Sequence, residues 1–183
     1  MTFTKRDSGI VSTGTLGGNR DSASAPAVVV RRLIDEGFSQ GRLDVCDELI
    51  ADEIVEHQDY GPAHPPGPAG VRAVVTSLRR AFSDFKLEIE DIVVAGDTVW
   101  TRNIATGTND GPYMGHSPTG RSFRIYVFDV LRIVDGLVVE HWGVPDRLGV
   151  LLQLGLGASS AGPSKFAPPS TATISTMRSE TAP

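Results

Sequence analysis

Between Pro26 and Gly155 the spacing of apolar positions changes once, from a helical period to an alternating one. In the run PAVVVRRLIDEGFSQGR, Val29, Leu33 and Phe38 fall near one stripe and Gly41 stops it, which predicts a first helix. A short second helix spans Leu43 to Ile50, and Glu53 to His57 forms a brief strand. The proline- and glycine-rich stretch from Tyr60 to Pro68 is a loop. Pro68 then stands where an N1 proline belongs, ahead of Val71, Val74, Val75, Leu78 and Phe82 at helical spacing. Beyond Phe82 four strand-like runs follow: Phe85 to Ala95, Thr98 to Asn109, Ser122 to Val134, and Leu137 to Val144. Ala95-Gly96-Asp97 and Val134-Asp135-Gly136 are hairpin punctuation, and a last helix runs from Asp146 to Leu154, closed by Gly155. These elements predict an α+β domain over residues 26–157. Three helices in its N-terminal half and a short C-terminal helix pack on one face of a curved antiparallel sheet that encloses a pocket.

Alternation assigns the faces of the last two strands. In Ser122 to Val134 the odd positions are Phe123, Ile125, Val127, Asp129, Leu131 and Ile133, while Arg124, Tyr126 and Arg132 are even, so the odd set points inward. Asp129 therefore sits within an apolar face, where an unpaired carboxylate is expensive to desolvate. In the following strand Glu140 and Trp142 share one face and Val139, His141 and Gly143 the other, and the charge of Glu140 marks the His141 face as inner. A two-residue Asp135-Gly136 loop sets Asp129 opposite Trp142; a three-residue loop sets it opposite His141. Only the second agrees with both burial patterns. The expectation is a directly opposed Asp129/His141 pair in the pocket, titrating as a unit and able to move a proton near neutral pH.

Other polar positions are less determined. Alternation does not decide whether His57 reaches the pocket or lies at a loop edge, and Asn103 either projects inward as a donor or falls on an exposed strand face. Tyr60, Met114 and His116 lie in loops at a pocket mouth. Gly143 leaves room beside Val127 for a bulky substrate. The candidate substrate contacts are thus His57, Tyr60, Asn103, Met114, Val127, Trp142 and Gly143, with Asp129 and His141 as the catalytic pair. His57, Asp129 and His141 lack the short spacing of a zinc signature, so no metal site is expected. No glycine-rich phosphate loop opens a helix after a strand and no G-x-S-x-G elbow occurs, which leaves nucleotide and serine-hydrolase readings without support.

Composition narrows the partner class. Five of the 17 basic and three of the 22 acidic residues lie outside 26–157, so that segment carries a net charge of -7. Without a basic stripe it is a poor nucleic-acid binder, and small neutral or apolar molecules are the expected ligands. No run of about 20 uncharged apolar residues is present, so no membrane span is expected. The single cysteine, Cys46, excludes an intramolecular disulfide framework and reads as a small buried residue in a short helix. No secretory signal is read near the start, so a cytoplasmic location is the default expectation. Residues 1–25 and 158–183, rich in Ser and Thr with Gly or Pro, read as disordered tails.

Three motifs resemble a known family: Met114 to Arg121 (MGHSPTGR), Phe128 to Gly136 (FDVLRIVDG), and Glu140 to Asp146 (EHWGVPD), preceded by the Gln40-Gly41 helix end and the Glu56-His57 strand. In this order and spacing they are similar to the SnoaL-like polyketide cyclase (ester cyclase) family of the NTF2-like superfamily, over roughly residues 27 to 155. The resemblance implies an NTF2-like cone with a deep cavity, usually a homodimer, and usually without metal or organic cofactor. It also implies cofactor-independent ring closure on an apolar polyketide-like molecule by enolisation and aldol-type chemistry. Its founding members look like catalysts in which an aspartate two residues after the histidine of the last strand is the general base. Here that position is Gly143, and Asp129 stands where those cyclases place a histidine. Dehydration, isomerisation or epoxide opening in the same pocket are alternatives, as are a non-catalytic small-molecule binder and a dimeric scaffold.

Overall fold

The computed structural model describes residues 24–157. The expected tails lie outside the described residues except for Ser24 and Ala25, and Ala25 already opens the first helix, because Pro26 supplies the preset φ of its first turn. Helix α1 (Ala25–Arg32) continues into a wider π-helical stretch, Leu33–Ser39, and Gly41 ends the run at φ 74°. The guanidinium of Arg79 donates to the Ser39 carbonyl at 2.8 Å and lies against Gly41, satisfying an orphan acceptor at this helix end. Helix α2 (Asp44–Leu49) buries Val45, Cys46 and Leu49; burial pushes the Cys46 thiol pKa up, as suits a packed, inert thiol. Helix α3 (Gly67–Ala81) presents Val71, Val75 and Leu78 to the interior, and α4 (Arg147–Leu154) closes the fold, its start capped by the Asp146 carboxylate accepting from Gly149 N at 2.7 Å.

Strands β1 (Ile50–Glu56), β2 (Lys86–Ala95), β3 (Thr98–Thr108), β4 (Ser122–Val134) and β5 (Leu137–Pro145) form one sheet in the order β1-β5-β4-β3-β2. From β2 to β5 it is the expected antiparallel meander, but β1 joins β5 in parallel, so the sheet is mixed and not wholly antiparallel. Tight hairpins force antiparallel neighbours; the long connection from β1 through α3 and three strands carries no such constraint. Helices cover the inner face, where Val30, Val45, Val75, Phe82, Val99, Val138 and Leu154 are fully buried. Trp100, Tyr126, Phe128, Trp142 and Val144 remain exposed on the other. Among the described residues, no helix is long and apolar enough to cross a membrane.

The β4–β5 connection differs from the three-residue loop expected. Val134 pairs with Leu137 across a two-residue turn whose Asp135 and Gly136 both have positive φ, 50° and 81°, as a type I′ turn requires. The register then slips by one: Ile133 faces Val138, but Arg132 faces Glu140, leaving Val139 as an extra residue in a bulge. Val138, not Val139, therefore shares the inner face with His141. Asp129 lies directly opposite Gly143, and His141 opposite Leu131.

Candidate active site

Between the sheet and the helices lies a cavity of about 680 Å³. Its walls are mostly apolar, with Leu33, Phe38, Val74, Ile125 and Val127 among them, and its polar groups include Glu56, Gln58, Tyr60, Asp129, His141 and Arg147. The inward parity of β4 carries Asp129 into this space. The bulge in β5 delivers His141 to the same face, one diagonal step away, and His141 Nε2 lies 3.3 Å from Asp129 Oδ1.

A third group completes the arrangement. Parallel pairing sets Glu56 of β1 beside His141, and Glu56 Oε2 lies 2.8 Å from His141 Nδ1. The imidazole thus has a carboxylate on each nitrogen. Burial alone lowers its pKa, but the hydrogen bonds and charges of Asp129 and Glu56 outweigh burial and raise it to about 9. At neutral pH His141 is an imidazolium whose two N–H groups are both engaged. Asn103 Nδ2 donates to Asp129 Oδ2 at 2.8 Å and to Thr101 Oγ1 at 2.9 Å. The Gln58 backbone N–H donates to Glu56 Oε1 at 2.7 Å, and the Tyr60 hydroxyl to Gln58 Oε1 at 2.9 Å. Burial, then the charges of Glu56 and Asp129, raise the Tyr60 pKa, so this hydroxyl stays a neutral donor.

The candidates from the sequence separate by position. Asp129 and His141 meet as a pair on one face, diagonal and not directly opposed. Val127, Tyr60 and Met114 line the cavity, Met114 from an exposed turn at φ 50°. His57 and Trp142 do not: on the outer face their rings stack 4.4 Å apart and His57 Nε2 lies 3.0 Å from Glu140 Oε1. Arg132 and then His57 hold the Glu140 pKa below its ordinary value. The reason is parity, since Glu56 points inward and its neighbour His57 must point outward. Asn103 does project inward, but it is fully buried against Asp129 and is not a cavity-surface residue. His116 pairs with Tyr113 in the turn that carries Met114.

Gly143 does not leave open space for substrate. A Cβ there would stand 2.6 Å from Gln58 Oε1, 2.9 Å from His141 Cε1 and 3.0 Å from Asp129 Oδ1. Glu56 and Gln58 are the residues that the sequence reading missed. Their signal was the alternation Ile54, Glu56, Gln58, all of which line the cavity. Among the described residues no group of three His, Cys, Asp or Glu side chains is arranged to hold a metal ion. A carboxylate beside a charged imidazole in an apolar cavity is equipment for taking a proton from carbon and returning it to oxygen.

Comparison with known proteins places the fold in a family. The profile of the SnoaL-like polyketide cyclase family matches residues 28–154. The aklanonic acid methyl ester cyclase DnrD of Streptomyces peucetius is 35% identical over 133 residues, covering 69% of this chain and 88% of that protein. The nogalonic acid methyl ester cyclase of Streptomyces nogalater is 29% identical over 120 residues, covering 64% and 89%. The crystal structure of wild-type IdmH from Streptomyces antibioticus superposes with a TM-score of 0.62 at 37% identity, covering 71% of this chain and 98% of that one. A cone of this topology and a match across the described domain make the chain a member of the SnoaL-like polyketide cyclase family.

Proposed function

We propose that this cyclase closes a ring on an apolar polyketide methyl ester by an intramolecular aldol step, with Asp129 as general base. The observation that carries the reading is the place of one oxygen. Asp129 Oδ1 stands 3.0 Å from where a Cβ on residue 143 would sit, the position at which the family resemblance implies an aspartate. A carboxylate from β4 fills space that a side chain on β5 would claim, and keeps the histidine of β5 as its partner. Asp129 removes a proton from a carbon flanked by carbonyl groups; the C–H electrons pass into the enolate. The enolate carbon attacks a second carbonyl carbon, forming the C–C bond, and the new alkoxide regains the proton from the Asp129 carboxyl. His141, held by Glu56, sets a positive charge beside the Asp129 carboxylate before the proton moves. The sum is an isomerisation that consumes no oxidant or reductant.

The test uses aklanonic acid methyl ester and nogalonic acid methyl ester, the compounds named in the relatives' activities. Asp129→Asn is expected to lower kcat by about 10² to 10⁴-fold while ligand affinity is kept, because general-base catalysis supplies about that much. Unchanged turnover rejects the assignment. Gly143 favours one rival, a non-catalytic carrier, since the family's implied base is missing from β5; full affinity with no turnover on either ester and on other polyketides would support it. The outer face suggests a homodimer: its exposed Trp100, Tyr126 and Phe128 stand among Arg102, Arg124 and Glu90, charges of both signs that a two-fold contact can pair. Mass in solution checks this, and a monomer at micromolar concentration contradicts it.

A further inference from the structure

The aldol reading leaves one demand unmet. As the α-proton leaves, negative charge builds on a carbonyl oxygen, and a preorganised donor at that oxygen is worth a large part of the rate. The donors of the Asp129/His141/Asn103 cluster are already engaged. Both imidazolium N–H groups face carboxylates, and the Asn103 amide nitrogen serves Asp129 and Thr101. Gln58 is different. It lines the cavity on the strand extension that carries Glu56, and its side-chain oxygen accepts from Tyr60, which turns the amide nitrogen away from that bond. Among the described residues Gln58 Nε2 has no protein partner.

Two further features fix this amide in place. The phenol of Tyr60 stacks on the His64 ring with centroids 4.5 Å apart, so the hydroxyl that orients Gln58 is itself held. The second feature is Gly143, because Gln58 Oε1 occupies a point 2.6 Å from where any Cβ at that residue would be. With glycine at 143 the glutamine keeps this position without a clash, whereas a Cβ there would push its amide aside. The residue that departs from the family's expected aspartate is thus what lets Gln58 settle over the Asp129/His141 pair.

We infer that Gln58 is a catalytic residue, donating a hydrogen bond from Nε2 to the substrate oxygen that becomes the enolate, with Tyr60 as the positioning residue that aims it. The inference rests on the aldol reading above. It assigns the substrate a carbonyl next to the acidic carbon, placed between Gln58 Nε2 and Asp129 Oδ1. No bond to Gln58 forms or breaks, and the proton still moves from carbon to Asp129 and on to the alkoxide.

The test is steady-state kinetics on the two methyl esters with the full chain and the variants Gln58→Leu, Tyr60→Phe, their double variant and Asp129→Asn. Gln58→Leu is expected to lower kcat by about 10² to 10³-fold, with KM changed far less, the pattern of a contact made mainly in the transition state. Tyr60→Phe is expected to lower kcat in the wild-type background and to have little effect once Gln58 is Leu, since it acts through that residue. A wild-type kcat for Gln58→Leu overturns the proposal, as does a rise in KM alone, or a Tyr60→Phe loss that is undiminished without Gln58. If Gln58→Leu does not fold, Tyr60→Phe decides: unchanged kcat overturns, and lowered kcat at unchanged KM supports. Asp129→Asn separates the two levels. Its loss of turnover beside an unaffected Gln58→Leu sinks only the present inference, whereas retained turnover sinks the aldol reading beneath it.

Discussion

Two carboxylates on one imidazole settle more than geometry. His141 is mostly buried, with its side chain 17% exposed, and its pKa stands at about 9 against an ordinary 6.5. A histidine whose folded pKa exceeds its unfolded one stabilises the fold fully below the unfolded value, and that contribution is lost as pH rises through the folded value. The window here is therefore pH 6.5 to about 9, and the loss across it is roughly 3 kcal/mol at 1.36 kcal/mol per unit. Urea titrations at pH 6, 7.5 and 9.5 should show this fall in the wild type and a much flatter profile in His141→Gln. Equal slopes in the two proteins would show that the imidazole is not charged in the fold. Glu56→Gln should move the midpoint of the fall to lower pH, because one of the two stabilising charges is gone. A change confined to overall stability, with the midpoint unmoved, would show that Glu56 does not act on the imidazole.

The β4–β5 hairpin brings the pair together, and it shows where the sequence was readable. Alternation in β4 is unambiguous because Phe123, Ile125, Leu131 and Ile133 are all buried, so Asp129 was placed correctly by its neighbours. The same-face relation to His141 was readable too, from the charge of Glu140. The register was not, since a three-residue loop and a two-residue loop with a bulge both keep Asp129 and His141 on one face. The Asp135-Gly136 pair is the composition that a two-residue type I′ turn favours, but nothing local announces the bulge that must then follow. β1 was less readable still: Glu56 meets a residue 85 positions away through a parallel pairing, and one-strand alternation carries no information about a distant partner. The turn itself can be tested. Gly136 has φ 81° and open space where a Cβ would go, so Gly136→Ala isolates backbone strain. Its expected cost is about 1–2 kcal/mol in urea unfolding, with turnover unchanged. If turnover falls instead, the turn rather than the bulge sets the register of the catalytic pair.

Across the whole molecule, an apolar cavity of about 680 Å³ penetrates a domain of modest size. Such a void forfeits the dispersion contacts that its lining side chains would otherwise make, so a well-shaped occupant should restore stability as well as bind. The acidic balance of the segment 26–157 directs this preference toward neutral ring systems. Apolar wall carries the affinity and polar groups carry the orientation. Anthraquinone, planar and uncharged, tests the division of labour. At one hundred times its Kd it should add about 2.7 kcal/mol, hence roughly 5–10 °C in Tm for a domain of this length. Asp129→Asn should keep the shift, because it alters the polar end and leaves the wall intact. Val127→Trp, which drives an indole into the cavity from the middle of β4, should abolish it. A shift that survives the tryptophan would place binding elsewhere on the protein, and would separate the cavity from the chemistry assigned to it.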